Sequence, residues 1–245
     1  MTPEQVFRAI EATWPPAAVQ DGDGFRLRRG DGGGQRVSAA TALGDPTEAQ
    51  VDGAARWMQA QSQKALFQLR PGEDALDALL AARGYQKRDE TVMYHAPIAL
   101  LTDIPIPRVT AFSIWEPLAI MNEIWATDGI GPSRRAVMAR AAVKTGIFAR
   151  QNEQPAGAAF AAMSGDLCMV HAVVVLPEHR RQGAAQWMMR RAAFWAAEQG
   201  ATHMTVLCVA ENIPANALYQ ALGFVETGRY HYRVLPHPQG DPDGR

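Results

Sequence analysis

The chain has 245 residues, is 47% hydrophobic and balances 24 Lys and Arg against 25 Asp and Glu, for a formal net charge of -1. That is enough apolar material for a sizeable core, and it leaves no global basic field for nucleic acid. No apolar run approaches the roughly 18 residues of a membrane span, and Met1-Thr-Pro-Glu-Gln5 lacks the basic and apolar stretches of a secretory signal, so the expectation is a cytoplasmic protein without a membrane partner.

The length predicts more than one folding unit. Near the start, Phe25-Arg-Leu-Arg28 and Gln35-Arg-Val-Ser38 alternate like two strands of a hairpin around Arg29-Gly-Asp-Gly-Gly-Gly34. That loop has the spacing Arg-x-x-Gly-x-Gly, but no helix follows it, so the physical cause for anion binding is missing. Phe67 to Tyr85 reads as a short strand, a polar turn, a helix, then Gly84 and an aromatic. Prolines 97, 105 and 107 disfavour helix between Ala96 and Arg108 and mark an extended connector. The expected division is a first domain over residues 1–95, a connector over 96–107, a second domain over 108–235 and a polar tail over 236–245.

In the second domain Val109 to Trp115 reads as a strand. Pro117 to Trp125 and Ser133 to Lys144 read as helices, with Ser133 as the N-cap of the latter. Ile147 to Arg150 and Ala156 to Met163 form a predicted hairpin around Asn152-Glu-Gln-Pro155, and Cys168 to Val175 is the next strand. A helix from Ala184 to Gln199 stops at Gly200, a strand covers Met204 to Val209, and a final strand lies near Thr227 to Val234. Cys168 and Cys208 both fall in strands, with no CxxC spacing and no His/Cys cluster. They read as buried reduced thiols, and no metal is expected.

The most informative segment is Val173-Val-Val-Leu-Pro-Glu-His-Arg-Arg-Gln-Gly-Ala-Ala185, where an apolar strand closed by Pro177 runs straight into an amphipathic helix. Gly183 and Ala185 are small enough for a ligand to approach the backbone. The helix start near Ala184 offers unpaired N–H groups and a positive dipole end, so an anion is expected there. The spacing is neither GxGxxG nor a P-loop.

Arg180, Gly183 and Ala185 resemble the pyrophosphate-binding segment of the GNAT superfamily of acyl-CoA-dependent N-acyltransferases. Downstream, Asn212, Asn216, Tyr219 and Leu222-Gly223-Phe224 resemble the second motif of the same superfamily. The resemblance implies a mixed-sheet α/β fold and acetyl-CoA as acyl donor. It implies that the segment Arg180, Arg181, Gln182, Gly183, Ala184 and Ala185 binds the cofactor together with Asn212 and Asn216, and that Tyr219 faces its sulfur. The stretch from Trp125 to Pro132 would lie where such enzymes build the acceptor pocket.

Setting Gly84 against Gly223 places Leu80 opposite Tyr219, Asp77 opposite Asn216 and Glu73 opposite Asn212, which suggests an internal repeat whose first copy has lost the chemistry. The first domain is then either a degenerate GNAT-like copy, giving two in tandem, or a generic α/β support.

The implied reaction is direct attack by an amine in a ternary complex, the acceptor being a small-molecule amine, an amino acid or a peptide. A lysine-like amine with a pKa of about 10.4 costs roughly 4.6 kcal/mol to present neutral at pH 7, so a proton must be taken up. His171, expected to share a face with Val173 and Val175 by the two-residue period, is the candidate base; a structural His is the alternative, and Glu123, Asp128 or a water chain could serve instead. By resemblance Tyr219 gives a proton to the leaving thiolate, and main-chain groups of Val173, Val174 and Val175 hold the carbonyl and pantetheine arm. A non-catalytic acyl-CoA-binding regulatory module is the competing function. Oligomeric state is not readable from the sequence.

Overall fold

A computed structural model describes residues 1–236; residues 237–245, in the expected polar tail, lie outside the described residues. Packing divides the chain into two units that do not follow the expected linear division. The first comprises Met1–Pro15, Met93–Cys208 and Asn212–Thr227; the second comprises Pro16–Val92, Val209–Glu211 and residues 228–236. No helix among the described residues is long and apolar enough to cross a membrane.

The first unit begins with helix α1 (Pro3–Thr13). Thr2 and Gln5 cap its start reciprocally, and Pro3 supplies the fixed φ and missing donor that a first helical residue tolerates. Its apolar stripe, Val6, Phe7, Ala9 and Ile10, is buried. The sheet of this unit contains β6 (Ala111–Ile114), β7 (Lys144–Gln151), β8 (Gln154–Ser164), β9 (Leu167–Val175) and β10 (His203–Val209) in the spatial order β10-β9-β8-β7-β6. All neighbours are antiparallel except β9 and β10, which run parallel. Residues 93–97 of β5 (Gln86–Pro97) follow beside β10, and residues 225–227 of β11 (Val225–Val234) lie beyond them.

Helices cover both faces of this sheet. α4 (Ala119–Ala126) and α1 pack on β8 and β9, and α6 (Ala184–Glu198) packs across β6 to β9. A strand buried on both faces loses its alternation. In β8 the run from Ala156 to Ala162, alanine or glycine at every position but Phe160, is buried throughout, and its small side chains let helices approach from either side. α5 spans Pro132–Arg140, with Gly131 as N-cap and Pro132 at the first position. Ser133 is therefore inside the helix, and Lys144, expected at its end, begins β7.

The second unit holds a small sheet, β1 (Ala18–Gly22), β2 (Phe25–Arg29) and β3 (Thr41–Ala42), in that order. The expected hairpin between residues 25–28 and 35–38 is corrected. β2 pairs with β1 through Asp23-Gly24, both with positive φ, as a two-residue hairpin turn requires; Gln35–Val37 is a single 3-10 turn. Arg28 crosses to the Ala39 carbonyl and Thr41 hydroxyl, tying the returning chain to β2.

Beside that sheet, α2 (Glu48–Ala60), β4 (Leu66–Leu69) and α3 (Asp74–Ala82) close a core of Phe25, Val51, Met58, Phe67, Leu69 and Leu80. Residues 231–234 of β11 pair antiparallel with β4. β5 and β11 each give residues to both units, and this is why packing ignores the sequence boundary.

The expected correspondence between residues 67–85 and 207–224 has a backbone counterpart. α7 (Ile213–Ala221) follows β10 as α3 follows β4. Gly84 and Gly223 have φ of 84° and 83°. Tyr85 N–H donates to the Leu80 carbonyl and Phe224 N–H to the Tyr219 carbonyl, each at 3.0 Å. At the position opposite Asn216, the Asp77 carboxylate accepts from His231 Nε2 at 2.7 Å and from Arg233 at 2.8 and 2.9 Å.

The Arg233 and His231 hydrogen bonds hold the Asp77 carboxyl down from 3.8 to about 2. A carboxylate whose folded pKa is depressed stabilises the fold above its unfolded pKa and loses that contribution as pH falls through the folded value. Asp77→Ala should therefore lower the melting temperature at neutral pH, and the gap to the wild type should close between pH 4 and pH 2. Melting curves across that range check it; a gap that stays constant would mean that the charge of Asp77 contributes nothing.

Candidate functional site

The site is built where β9 and β10 part. Parallel pairing joins Leu167 to His203 and ends at Val170 and Val206, while β9 runs on to Val175 and β10 to Val209. Beyond that point each strand presents main-chain groups to the gap that the other does not pair. On its opposite edge β9 stays paired with β8, but with a shift of register: Phe160 faces His171 and Ala158 faces Val174, so the single residue Ala159 opposes Ala172 and Val173. This is a β-bulge, and Ala172 sits in the left-handed region at φ 53°. Trp125, fully buried on α4, donates from Nε1 to the Ala172 carbonyl at 2.9 Å and pins it.

The bulge corrects the expected face of His171. A bulge residue inverts the two-residue period, so His171 shares its face with Val174, and Val173 and Val175 point the other way. His171 is 4% exposed, with Nε2 2.9 Å from Thr13 Oγ1 and its ring 4.9 Å from that of Trp14. Thr13 has one hydroxyl proton and donates it to the Ala9 carbonyl at 2.6 Å. Its oxygen must then accept from His171, which fixes the proton on Nε2. α1 and Trp14, remote in sequence, gave no signal of this contact; the only trace was an amphipathic segment ending in Thr13-Trp14.

Past Val175 the chain turns through residues 177–179 as one 3-10 turn, then through Arg180, extended, and Arg181, left-handed at φ 59°. Arg180 Nε folds back onto the Val175 carbonyl at 3.1 Å. Gln182 donates from its side chain to the Glu178 carbonyl and accepts, through its own carbonyl and amide oxygens, from Gln151. Gly183 is the N-cap of α6 with φ 89°, a conformation that favours glycine. It offers no side chain to the first-turn amides, so the 15-residue helix starts uncapped. A Cβ on Gly183 would meet only Trp187, at 3.8 Å, so the space in front of the turn is open. Ala184 is buried and Ala185 half-buried.

On the other side of the gap, Asn212 caps α7 by accepting from Ala215 N–H, and its carbonyl accepts from the Asn216 backbone and side chain. Asn216 Oδ1 accepts from the Tyr94 hydroxyl at 2.9 Å. Tyr219 is buried between Tyr94 and Phe224, ring centroids 6.1 and 5.9 Å away, and burial pushes its phenol well above the usual value. Burial likewise raises the Cys168 thiol to about 12 and the Cys208 thiol to about 11. Glu123 and Asp128 are exposed. Among the described residues no group of three or more His, Cys, Asp or Glu is placed to hold a metal ion.

Residues 118–224, which contain both walls of this gap, match the model of the acetyltransferase (GNAT) family. Aminoglycoside N(6′)-acetyltransferase type 1 of Acinetobacter haemolyticus is 35% identical over 60 residues, 24% of this chain and 41% of that protein. The matches to curated relatives span from a quarter to under half of those proteins. Among solved structures, a GCN5-related N-acetyltransferase from Kribbella flavida superposes with TM-score 0.68 over 97% of each chain at 16% identity. A tandem GNAT protein from the clavulanic acid biosynthesis pathway does so with TM-score 0.59 over 93% of this chain and 86% of that one, at 12% identity. Residues 118–224 are thus a GNAT acetyltransferase domain, set on a mixed α/β sheet.

Proposed function

We propose that the protein transfers an acetyl group from acetyl-CoA to an amine by direct attack within a ternary complex. The observation that carries this reading is the gap between β9 and β10 opening directly onto the uncapped start of α6. The open space in front of Gly183 and the first-turn amides fit a pyrophosphate. Arg180, Arg181, Gln182, Gly183, Ala184 and Ala185 would form that cradle, and main-chain groups of Val173, Val174 and Val175 would hold the amide-containing arm. Acetyl-CoA supplies the activated acyl group.

The amine nitrogen bonds to the acyl carbon as the carbon–sulfur bond breaks, so one proton must leave nitrogen and one must reach sulfur. Tyr219, held neutral by burial, donates to the sulfur and cannot serve as base near pH 7. Asn212 and Asn216 fix the helix that carries it. His171, the expected base, is assigned instead to holding α1 against β9, because its ring is buried against Trp14 and its Nε2 is bonded to Thr13. The amine proton then leaves through solvent. The buried, protonated cysteines favour direct attack over an acyl-cysteine. The acceptor is read as a small-molecule amine, as the name of the Acinetobacter relative suggests. The first domain, expected over residues 1–95, is read as a degenerate GNAT-like copy over residues 16–92 only, since α1 packs in the other unit; the matching hydrogen bonds around Gly84 and Gly223 support it.

Calorimetric titration with acetyl-CoA, followed by thiol release with a panel of amines, tests the function; no binding, or binding without thiol release for any amine, would overturn it. Gly183→Glu should abolish binding by placing negative charge in the cradle. Tyr219→Phe should lower turnover about 100-fold or more while leaving acetyl-CoA affinity within about twofold; an unchanged rate would remove Tyr219 from the chemistry. Thr13→Val strips a buried N–H of its acceptor and should cost about 1 to 3 kcal/mol in denaturant unfolding. Thr13→Ser should restore it.

A further inference from the structure

A cleft of 440 Å³, within the range of small-ligand sites, lies beside the cradle in the first unit. Its walls include Arg108, Arg150, Gln151, Gln182, Ala184 and Trp187. Two of these, Gln182 and Ala184, belong to the turn and first residue of α6, so an occupant here is continuous with whatever the helix start holds. The β7–β8 pairing shifts register between Ala149 and Arg150, with Ala156 of β8 as the extra residue, at the point where Arg150 enters the cleft. Gln151 then fastens the β7–β8 turn to the loop before α6, with Nε2 3.2 Å from the Gln182 carbonyl and 3.0 Å from its Oε1. The cleft is thus made by two tied loops, with fixed walls.

The chemistry of those walls is specific. Arg150 spends one donor on the Glu153 carbonyl, and neither Arg150 nor Arg108 has a carboxylate partner among the described residues. Two guanidiniums without counter-ions suit a dianionic phosphate. Trp187 is half-buried and offers an indole flank for a flat ring. Glu153 also lines the cleft and, among the described residues, forms no ion pair with either arginine. His171 and Phe160 lie on the face that α1 and α4 cover, whereas Trp187 belongs to α6 on the other.

Resting on the acetyl-CoA reading above, we propose that this cleft takes the adenosine 3′-phosphate end of the donor, with the purine against Trp187 and the phosphate between Arg108 and Arg150. The cleft then selects the donor: it distinguishes a thioester of CoA from the same thioester on a phosphopantetheine arm that carries no nucleotide.

The test is calorimetric, with acetyl-CoA, acetyl-dephospho-CoA, which lacks only the 3′-phosphate, and acetyl-pantetheine. The wild type should bind acetyl-CoA at least about tenfold more tightly than the dephospho compound, the scale of one charge-assisted hydrogen bond. In the double variant Arg108→Ser, Arg150→Ser the two affinities should converge, and 3′,5′-ADP should no longer compete with acetyl-CoA. Trp187→Ala should weaken both nucleotide-bearing thioesters without changing the preference between them. Equal affinity of the wild type for acetyl-CoA and its dephospho form would overturn the proposal while leaving the donor reading intact. A double variant that keeps the full preference would also overturn it. Failure of all three thioesters to bind would overturn both.

Discussion

Everything at the site depends on two parallel strands that pair for four residues and then separate. Leaving a sheet costs backbone hydrogen bonds, and buried N–H and carbonyl groups must find partners elsewhere. The structure meets that cost unevenly. The Val175 carbonyl is taken by Arg180 and the Ala172 carbonyl by Trp125, which leaves main-chain groups around Val173 as the edge presented to the gap. The bulge makes the separation possible without loss on the other side. By setting Ala172 and Val173 against the single residue Ala159, β9 can turn away from β10 and still pair with β8 up to Gly157 and Val175. Gly157 is small for the same reason: a Cβ there would lie 2.7 Å from the Val174 carbonyl.

The two strand–turn–helix blocks show how little of a site resides in its backbone. Around Gly84 and around Gly223 the same helix ending recurs, with the same pair of hydrogen bonds onto Leu80 or Tyr219. What differs is the side chain facing the neighbouring strand. Asn216 accepts from a neutral tyrosine hydroxyl, whereas Asp77 is locked by an arginine and a histidine. A neutral amide can exchange partners with a ligand at small cost. A carboxylate held by three charge-assisted hydrogen bonds cannot, and it would repel a polyphosphate besides. The first block thus shares the backbone geometry of the second but holds an ion-paired carboxylate where the second holds an amide.

Local pattern carried most of the fold into the sequence. The apolar run from Val173, the small residues at Gly183 and Ala185, and the Asn212-to-Phe224 block all fall on the elements that form the cradle and its opposite wall, because strand, helix start and Gly-ended helix are each set by neighbouring residues. What was not legible depends on partners far along the chain. No local feature of Val170 to Val175 announces the bulge, so the face of His171 was read with the wrong parity. The Asp23-Gly24 turn was the stronger hairpin signal near the start but was passed over for the glycine-rich loop after it. Ser133 looks like a cap until Pro132 at the first helical position makes Gly131 the cap instead. The linear domain boundary failed for a similar reason, since β5 and β11 each complete the sheets of both units.

Burial also decides what kind of chemistry the gap can host. The groups near it that could act as nucleophiles, Cys208 on β10 and Cys168 on β9, are pushed toward the protonated form by desolvation, and the phenol of Tyr219 is pushed the same way. A site of this kind offers neutral donors and main-chain dipoles, and these do not make a covalent intermediate with the protein. They can orient two bound molecules and stabilise charge that appears between them, which is what transfer from one ligand directly to another requires. On the proposed reading the positive groups stand apart from the reacting centre, at the helix start and in the arginine cleft, where they would bind the polyanionic end of a donor without competing for the proton that an attacking amine must lose.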